Sequence, residues 1–251
     1  LTASVSSEGT GAPCTKADTA GRRGKDGGEA GTREVKLLTV TIYDRVDAKG
    51  RPIVNKGCIV YFADTGGADE FAGQAVAILR AMKWERFSRL QFVSDGAKWL
   101  EAMWRGNLKD SGFVRVLDFY HAAEYLGVVV SALADPKDGG STSKEFRDLM
   151  KSRGGAKAFA ELERRFGADR IARLPEPAAK ALAYLRRRLD AMKYDECRAA
   201  GFFIGSGTVE SGCKSVVGAR CKLAGMHWRL ATVGAVAIIR ATLRSGLALT
   251  A

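Results

Sequence analysis

The sequence predicts an α/β fold in which a mixed sheet carries helices and is interrupted by an all-α insertion. Three observations predict it. Short apolar or β-branched runs alternate with helix-periodic runs through the first half, a strongly charged helix-patterned stretch follows, and the chain then ends in apolar residues at helical spacing. The expected division is residues 1–135 for the first part of the core, 136–200 for the helical insertion, and 201–251 for the C-terminal helices that complete the core.

Taken in order, residues 1–8 (LTASVSSE) alternate loosely and read as a strand ending at Glu8, with a turn expected over Gly9-Thr10-Gly11-Ala12-Pro13. Residues 15–32 are rich in Gly, Lys, Arg and Asp and read as a surface loop. The Gly21–Lys25 run there lacks the spacing and the Ser/Thr of a phosphate loop. Val35–Tyr43 is a β-branched strand, Asp47–Gly50 a turn, and Cys58–Phe62 the return strand of a hairpin. Apolar residues at Phe71, Ala75, Ile78, Leu79 and Met82 predict a helix over 68–82. Leu90–Ser94 is a buried strand stopping at Asp95-Gly96, followed by a helix over 97–108. Val114–Leu117 is the next strand, stopping at Asp118, with a helix over 121–133 behind it. Residues 135–143 read as a linker, and 144–200 as helices jointed at Leu174-Pro175-Glu176-Pro177, with Arg186-Arg187-Arg188 on a helix. Phe202-Phe203-Ile204 leads into Gly205-Ser206-Gly207-Thr208, where Thr208 is the expected N-cap of a helix bearing Val209, Cys213, Val216, Val217 and Cys221. An apolar helix over 228–247 closes the chain.

Composition narrows the class. The 251 residues allow a sizeable core, and no apolar run reaches the ~18 residues of a membrane span. The N-terminus shows no secretory signal pattern, and the start at Leu1 in place of Met reads as a fragment of a longer protein. Five cysteines with no Cys-x-x-Cys pair fit neither a zinc module nor a disulfide framework and point to a reducing, cytoplasmic setting. The net charge is +12, unevenly placed: residues 1–135 hold 18 basic and 17 acidic side chains, 136–200 hold 16 and 10, and 201–251 hold six and one. A basic second half beside a near-neutral half with acids at strand ends suits a polyanion held against an acidic centre.

That single late acid is Glu210, in the first turn of an otherwise basic helix. Glu8 and Asp95 each end a strand. In open α/β sheets, ligands bind at the C-terminal edge of the strands. Three acids converging there supply hard oxygen ligands for two Mg²⁺ or Mn²⁺ ions, the arrangement that clamps both oxygens of a phosphodiester displacement. Asp118 and His121 stand at a third strand end. The plain alternatives are a turn residue for Asp95, a helix-start residue for His121 and a helix-dipole partner for Glu210.

Asp95-Gly96-Ala97-Lys98-Trp99, followed by the run Leu117-Asp118-Phe119-Tyr120-His121-Ala122-Ala123-Glu124-Tyr125-Leu126, closely resembles transposases of the ISKra type of bacterial insertion sequences. Gly11–Pro13, Gly21–Lys25 and Thr32–Leu37 match that family's upstream blocks, and Ile204–Ser211, Cys213-Lys214 and Gly225–Trp228 its C-terminal block. The resemblance runs from about Val5 to about Leu247. It implies a DDE transposase of the Mutator-like lineage with an RNase H-like core and an all-α insertion before the final Glu. Glu8, Asp95 and Glu210 would hold two divalent cations, and Asp118 and His121 would be the lineage's supporting Asp-x-x-His element. Water would cut the strand at the element's end to release a 3′-hydroxyl, which would then attack target DNA. The implied partners are double-stranded DNA, both element ends and target, and further copies of the chain on that DNA. No membrane and no nucleotide cofactor is expected, and the implied place is the bacterial nucleoid. Lys214, Arg220, Lys222 and Arg229 are candidate phosphate contacts, because their segment is almost free of acid.

The sequence departs from the family at one metal position: Glu8-Gly9-Thr10-Gly11 stands where the family has Asp-Gly-Thr-Gly. The extra methylene moves the carboxylate by ~1.5 Å along an extended side chain. Such a site depends on closely set ligand geometry. The region such transposases use to recognise element ends is also missing from the resemblance. The alternatives are therefore a truncated or degenerate copy that binds DNA without catalysis, and another RNase H-like nuclease.

Overall fold

The computed structural model describes residues 1–24, 27–54 and 57–246. Lys25 of the Gly21–Lys25 run and Leu247 at the end of the expected closing helix lie outside the described residues. The architecture is mixed α/β. Five strands form one sheet: β1 (Thr2–Pro13), β2 (Thr32–Tyr43), β5 (Ile59–Asp64), β6 (Arg89–Ser94) and β7 (Phe113–Leu117), in the order β5-β2-β1-β6-β7. β1, β2 and β5 pair antiparallel as a meander, while β6 runs parallel to β1 and β7 parallel to β6. A two-stranded ribbon of β3 (Arg45–Val46) and β4 (Pro52–Ile53) brackets the predicted Asp47–Gly50 turn.

Side-chain alternation along the strands builds a core on each face. Val5, Leu38, Val40 and Phe92 face α2 (Ala68–Ala81) and α3 (Lys98–Met103), meeting Phe71, Leu79, Leu100 and Met103. On the opposite face, Val93 and Val116 meet α4 (Phe119–Leu133) and, beyond it, the insertion. Leu37 and Ala63 on that same face are covered by the C-terminal helices. The insertion comprises α5 (Gly139–Phe166, kinked at Gly154), α6 (Ala168–Ala172), α7 (Glu176–Arg186) and α8 (Tyr194–Ala199). Buried Phe146, Met150, Leu182, Leu185 and Tyr194 dock it on α4. The C-terminal unit is α9 (Gly207–Gly212), a π turn (Cys213–Gly218), α10 (Ala219–Cys221) and α11 (Leu230–Arg244). Among the described residues no helix is long and apolar enough to cross a membrane.

Four local expectations are corrected. The turn expected after Glu8 is strand: β1 runs on to Pro13, because Gly9 to Pro13 pair with Thr32 to Lys36 of β2, an arrangement set by residues some twenty positions away. The stretch over 15–32 is not all loop, since Lys16–Thr19 form one helical turn, α1, with Thr15 hydrogen-bonded to Asp18 at 2.6 Å. The linker expected over 135–143 ends early, since α5 begins at Gly139 and the Thr142 amide donates to the Asp138 carbonyl at 2.9 Å. Arg186 ends α7, Arg187 caps it, and Arg188 lies beyond the helix. Phe202 to Ile204 pack on the core and are held by the buried Gln91 of β6, whose side chain both donates to the Phe203 carbonyl at 2.5 Å and accepts from its amide at 3.2 Å.

Candidate active site

Register explains why the acids meet. Ser6 of β1 lies opposite Val93 of β6, and Ser94 of β6 opposite Leu117 of β7. Carried past the last pairs, the same registers set Glu8 level with Asp95 and Asp95 level with Asp118. All three follow the alternation of Val93 and Val116 and emerge on the face that α4 and α9 cover. The result is a row of carboxylates on adjacent strands, which run ~4.8 Å apart. Glu210 arrives from α9. Glu8, Asp95, Asp118, His121 and Glu210 line one hollow of about 480 Å³.

Asp118 organises the hollow. It is 2 % exposed. One carboxylate oxygen caps α4 by accepting from the His121 amide at 2.7 Å. The other accepts from the Ser206 amide at 2.6 Å and from the Ser206 hydroxyl at 2.9 Å. Ser206 Oγ also lies 3.0 Å from Glu210 Oε1. Asp118 is thus tied to Glu210 through one serine, so the strand-end acid sets where α9 begins. Ser206 is the N-cap in place of the expected Thr208, which lies inside α9, and its side chain serves Asp118 and Glu210 in place of the helix amides. Gly212 completes the placement: a Cβ there would stand 2.7 Å from Leu37 Cδ2 and 3.1 Å from the Tyr61 ring, so a larger residue would have to push buried side chains aside for α9 to lie this close to the sheet.

Glu8 is the electrostatically costly member. Burial and then the charges of Glu210, Asp95 and Asp118 push its pKa up to about 7, with Lys222 pulling the other way. Its Oε2 is buried and, among the described residues, has no hydrogen-bond partner. A buried, unpartnered carboxylate oxygen facing other carboxylates fits a divalent cation, which would both ligate it and offset the repulsion. Among the described residues no three Asp, Glu, His or Cys groups stand close enough to grip one ion. Mg²⁺ needs only one or two carboxylates when water and phosphate fill its other positions, so the residues present fit ions completed by substrate.

Asp95 is held by the insertion, which sequence reasoning missed. Its own carboxylate accepts from the Ala97 amide at 2.9 Å, closing the turn. The Tyr184 hydroxyl donates to the Asp95 carbonyl, and Arg188 donates to the Gly96 carbonyl at 2.8 Å. Gly96 has φ 75°, and a Cβ there would stand 2.5 Å from the Tyr184 hydroxyl. The guanidinium of Arg188 stacks on the Tyr184 ring at 3.9 Å and reaches Glu101 at 3.3 Å. Tyr184 also stacks on Tyr125 at 4.3 Å, and the His121 ring stands edge-on to both. The one sequence signal was the Arg186–Arg188 run.

The four candidate phosphate contacts separate into two groups. Lys214 and Lys222 line a smaller hollow of about 330 Å³ on the other side of Glu8 and Glu210, and Lys222 donates to Thr10 at 2.6 Å. Arg220 instead lies over the Trp228 ring at 5.3 Å, and Arg229 sits by Asp18, whose pKa it helps to lower. In comparisons with protein-family models, curated proteins and solved structures, the chain matches none.

Proposed function

We propose that the chain is the catalytic core of a metal-dependent polynucleotidyl transferase, cutting and joining DNA strands as a DDE transposase with an RNase H-like core does. The observation that carries this is the row Glu8–Asp95–Asp118 across three parallel strands, met by Glu210 from a basic C-terminal unit. The sheet supports it too: an antiparallel three-strand meander extended by two parallel strands, with a helical insertion ahead of the last acid.

Glu8, Asp95 and Glu210 would hold two Mg²⁺ or Mn²⁺ ions, which neutralise phosphate charge and make water a stronger nucleophile at neutral pH. The protein's own contributions follow from the geometry. Asp118, engaged by three donors, positions α9 and Glu210 and leaves ligation to the others. Tyr184 and Arg188 fix the turn that aims Asp95. Lys214 and Lys222 receive backbone phosphates on the far side of Glu8. His121, half-exposed and 3.9 Å from Glu124, borders the hollow where a DNA flank would pass. The chain would act on double-stranded DNA as a homo-oligomer beside the nucleoid.

A second reading, a relic that binds DNA without cutting it, is favoured by Glu8: a carboxylate titrating near 7 is half-protonated at neutral pH, which weakens its hold on a cation. One experiment separates them. With Mn²⁺ and supercoiled plasmid, the wild-type chain should nick DNA, and Asp95→Asn and Glu210→Gln should each lower the rate by about 10³-fold or more. Salt-sensitive binding without nicking in wild type and Glu8→Asp alike selects the relic. Nicking that persists in both Asn and Gln variants removes the acid row from the chemistry.

A further inference from the structure

Beside the acid hollow lies a larger cavity, of about 600 Å³, that the cutting chemistry does not use. The two share Tyr120 and Gly207. Its walls carry Lys49, Arg51, Lys151 and Arg198 and, among the described residues, no carboxylate. Arg51 is taken by Asp47 at 2.6 Å, but Lys49, Lys151 and Arg198 have no ion-pair partner among the described residues. Four aromatic rings, Tyr61, Tyr120, Phe202 and Phe203, line it as well, among small and aliphatic residues. Tyr120 is 62 % exposed, the most exposed large apolar side chain among the described residues, and it lies against Gly205 where the two hollows meet.

Unpaired cations together with an exposed ring define the ligand class. Phosphates answer the cations, and flat bases answer the ring. Sequence-tolerant binding of single-stranded nucleic acid combines these two features. A cavity of this size takes a drug-sized ligand, which is a nucleotide or two and not a duplex. A duplex also keeps its bases stacked on one another and offers the ring nothing.

We propose that this cavity seats an unpaired stretch of nucleic acid beside the acid hollow, one base on Tyr120 and the flanking phosphates against Lys49, Lys151 and Arg198. The proposal rests on the reading that the acid hollow works on a polynucleotide, and it adds that the strand next to the reacting phosphate is unpaired there. Substrates frayed or melted at that point are then preferred to intact duplex.

The test is fluorescence anisotropy in EDTA, where no strand can be cut, with labelled oligo-dT, oligo-U and a blunt duplex of equal length. The full chain should bind the single strands more tightly than the duplex, with affinity falling steeply with salt. The oligo-dT and oligo-U arms tell whether a DNA or an RNA strand is preferred. Tyr120→Ala should weaken single-strand binding roughly 5- to 100-fold, the range for losing a stacking platform, and leave duplex binding unchanged. That unchanged duplex binding also reports that the variant is folded. Lys151→Ala with Arg198→Ala should weaken single-strand binding and flatten its salt dependence. Equal loss on both DNA forms, no loss in any variant, or equal competition by polyglutamate overturns the proposal. Tyr120-dependent single-strand binding in a wild-type chain that nicks no plasmid supports the cavity and rejects cleavage. Asp95-dependent nicking with no effect of Tyr120→Ala does the reverse.

Discussion

The acid hollow and the cationic cavity are neighbours that share Tyr120 and Gly207, yet they stand in opposite relation to the fold. The acids are fastened. Asp118 spends both oxygens on backbone and serine donors, Asp95 sits in a turn clamped from the insertion, and Glu8 is driven toward neutrality by its surroundings. The cavity's cations are loosely held: Arg51 makes an exposed pair with Asp47, Lys49 and Arg198 make no ion pair among the described residues, and Lys151 rests over the Phe119 ring at 5.5 Å. The difference teaches that substitutions in the hollow should register in stability as well as in activity, whereas those in the cavity should register in binding alone.

The largest break in that contrast should come at Asp118. Asp118→Ala removes an N-cap and strands the buried Ser206 amide, while the Ser206 hydroxyl keeps Glu210 as its partner. Together these cost about 3 kcal/mol, read as a lower urea midpoint at unchanged slope. Asp118→Asn, which keeps a capping oxygen, should recover part of the loss. Next is the clamp. Arg188→Ala gives up its bonds to the Gly96 and Tyr184 carbonyls and its pair with Glu101, for about 2 kcal/mol. It should also slow nicking, because Asp95 loses its fixed turn. A variant with wild-type urea stability and rate would show that the clamp is idle.

Glu8 sharpens the comparison through pH. Its folded pKa of about 7 lies above the ordinary 4.5, so the stability linked to its protonation is present below 4.5 and lost as pH rises through 7. Glu8→Gln, which cannot ionise, should therefore melt like wild type at pH 4 and be more stable at pH 8. The gain is about 1 kcal/mol once solvent screening of this half-buried group is allowed for. Mn²⁺ should erase the difference by stabilising wild type alone. Equal curves at both pH values would show that Glu8 is not repelled by its neighbours. The smallest effect belongs to the cavity rim: Arg51→Ala breaks only an exposed pair with Asp47 and should leave the melting temperature unchanged within error.

Much of this layout was legible because strand-end acids follow local patterns. Asp95 and Asp118 each close a strand-like stretch of four or five residues, and register did the rest. Glu210 stood out as the single acid of its segment. What stayed hidden depends on distant partners. Gly9 to Pro13 looks like a turn until Thr32 to Lys36 pairs with it. Tyr184 and Arg188 reach Asp95 and Gly96 across 89 and 92 positions, and no local pattern marks such a meeting. The cavity is drawn from the β3–β4 ribbon, β5, the start of α4, α5 and the end of α8, so its charge cannot be seen in any one stretch.

The clamp also sets an order of events during synthesis. Glu8, Asp95 and Asp118 emerge from the ribosome well before Tyr184, Arg188 and Glu210 are made. At ordinary elongation rates the gap from Asp118 to Glu210 is roughly 5–20 s. Through that interval the nascent chain carries a partial row of acids with no clamp on its central turn and no fourth carboxylate. The full four-carboxylate hollow therefore exists only once Glu210 is in place, so a product terminated before it carries an incomplete set of acids.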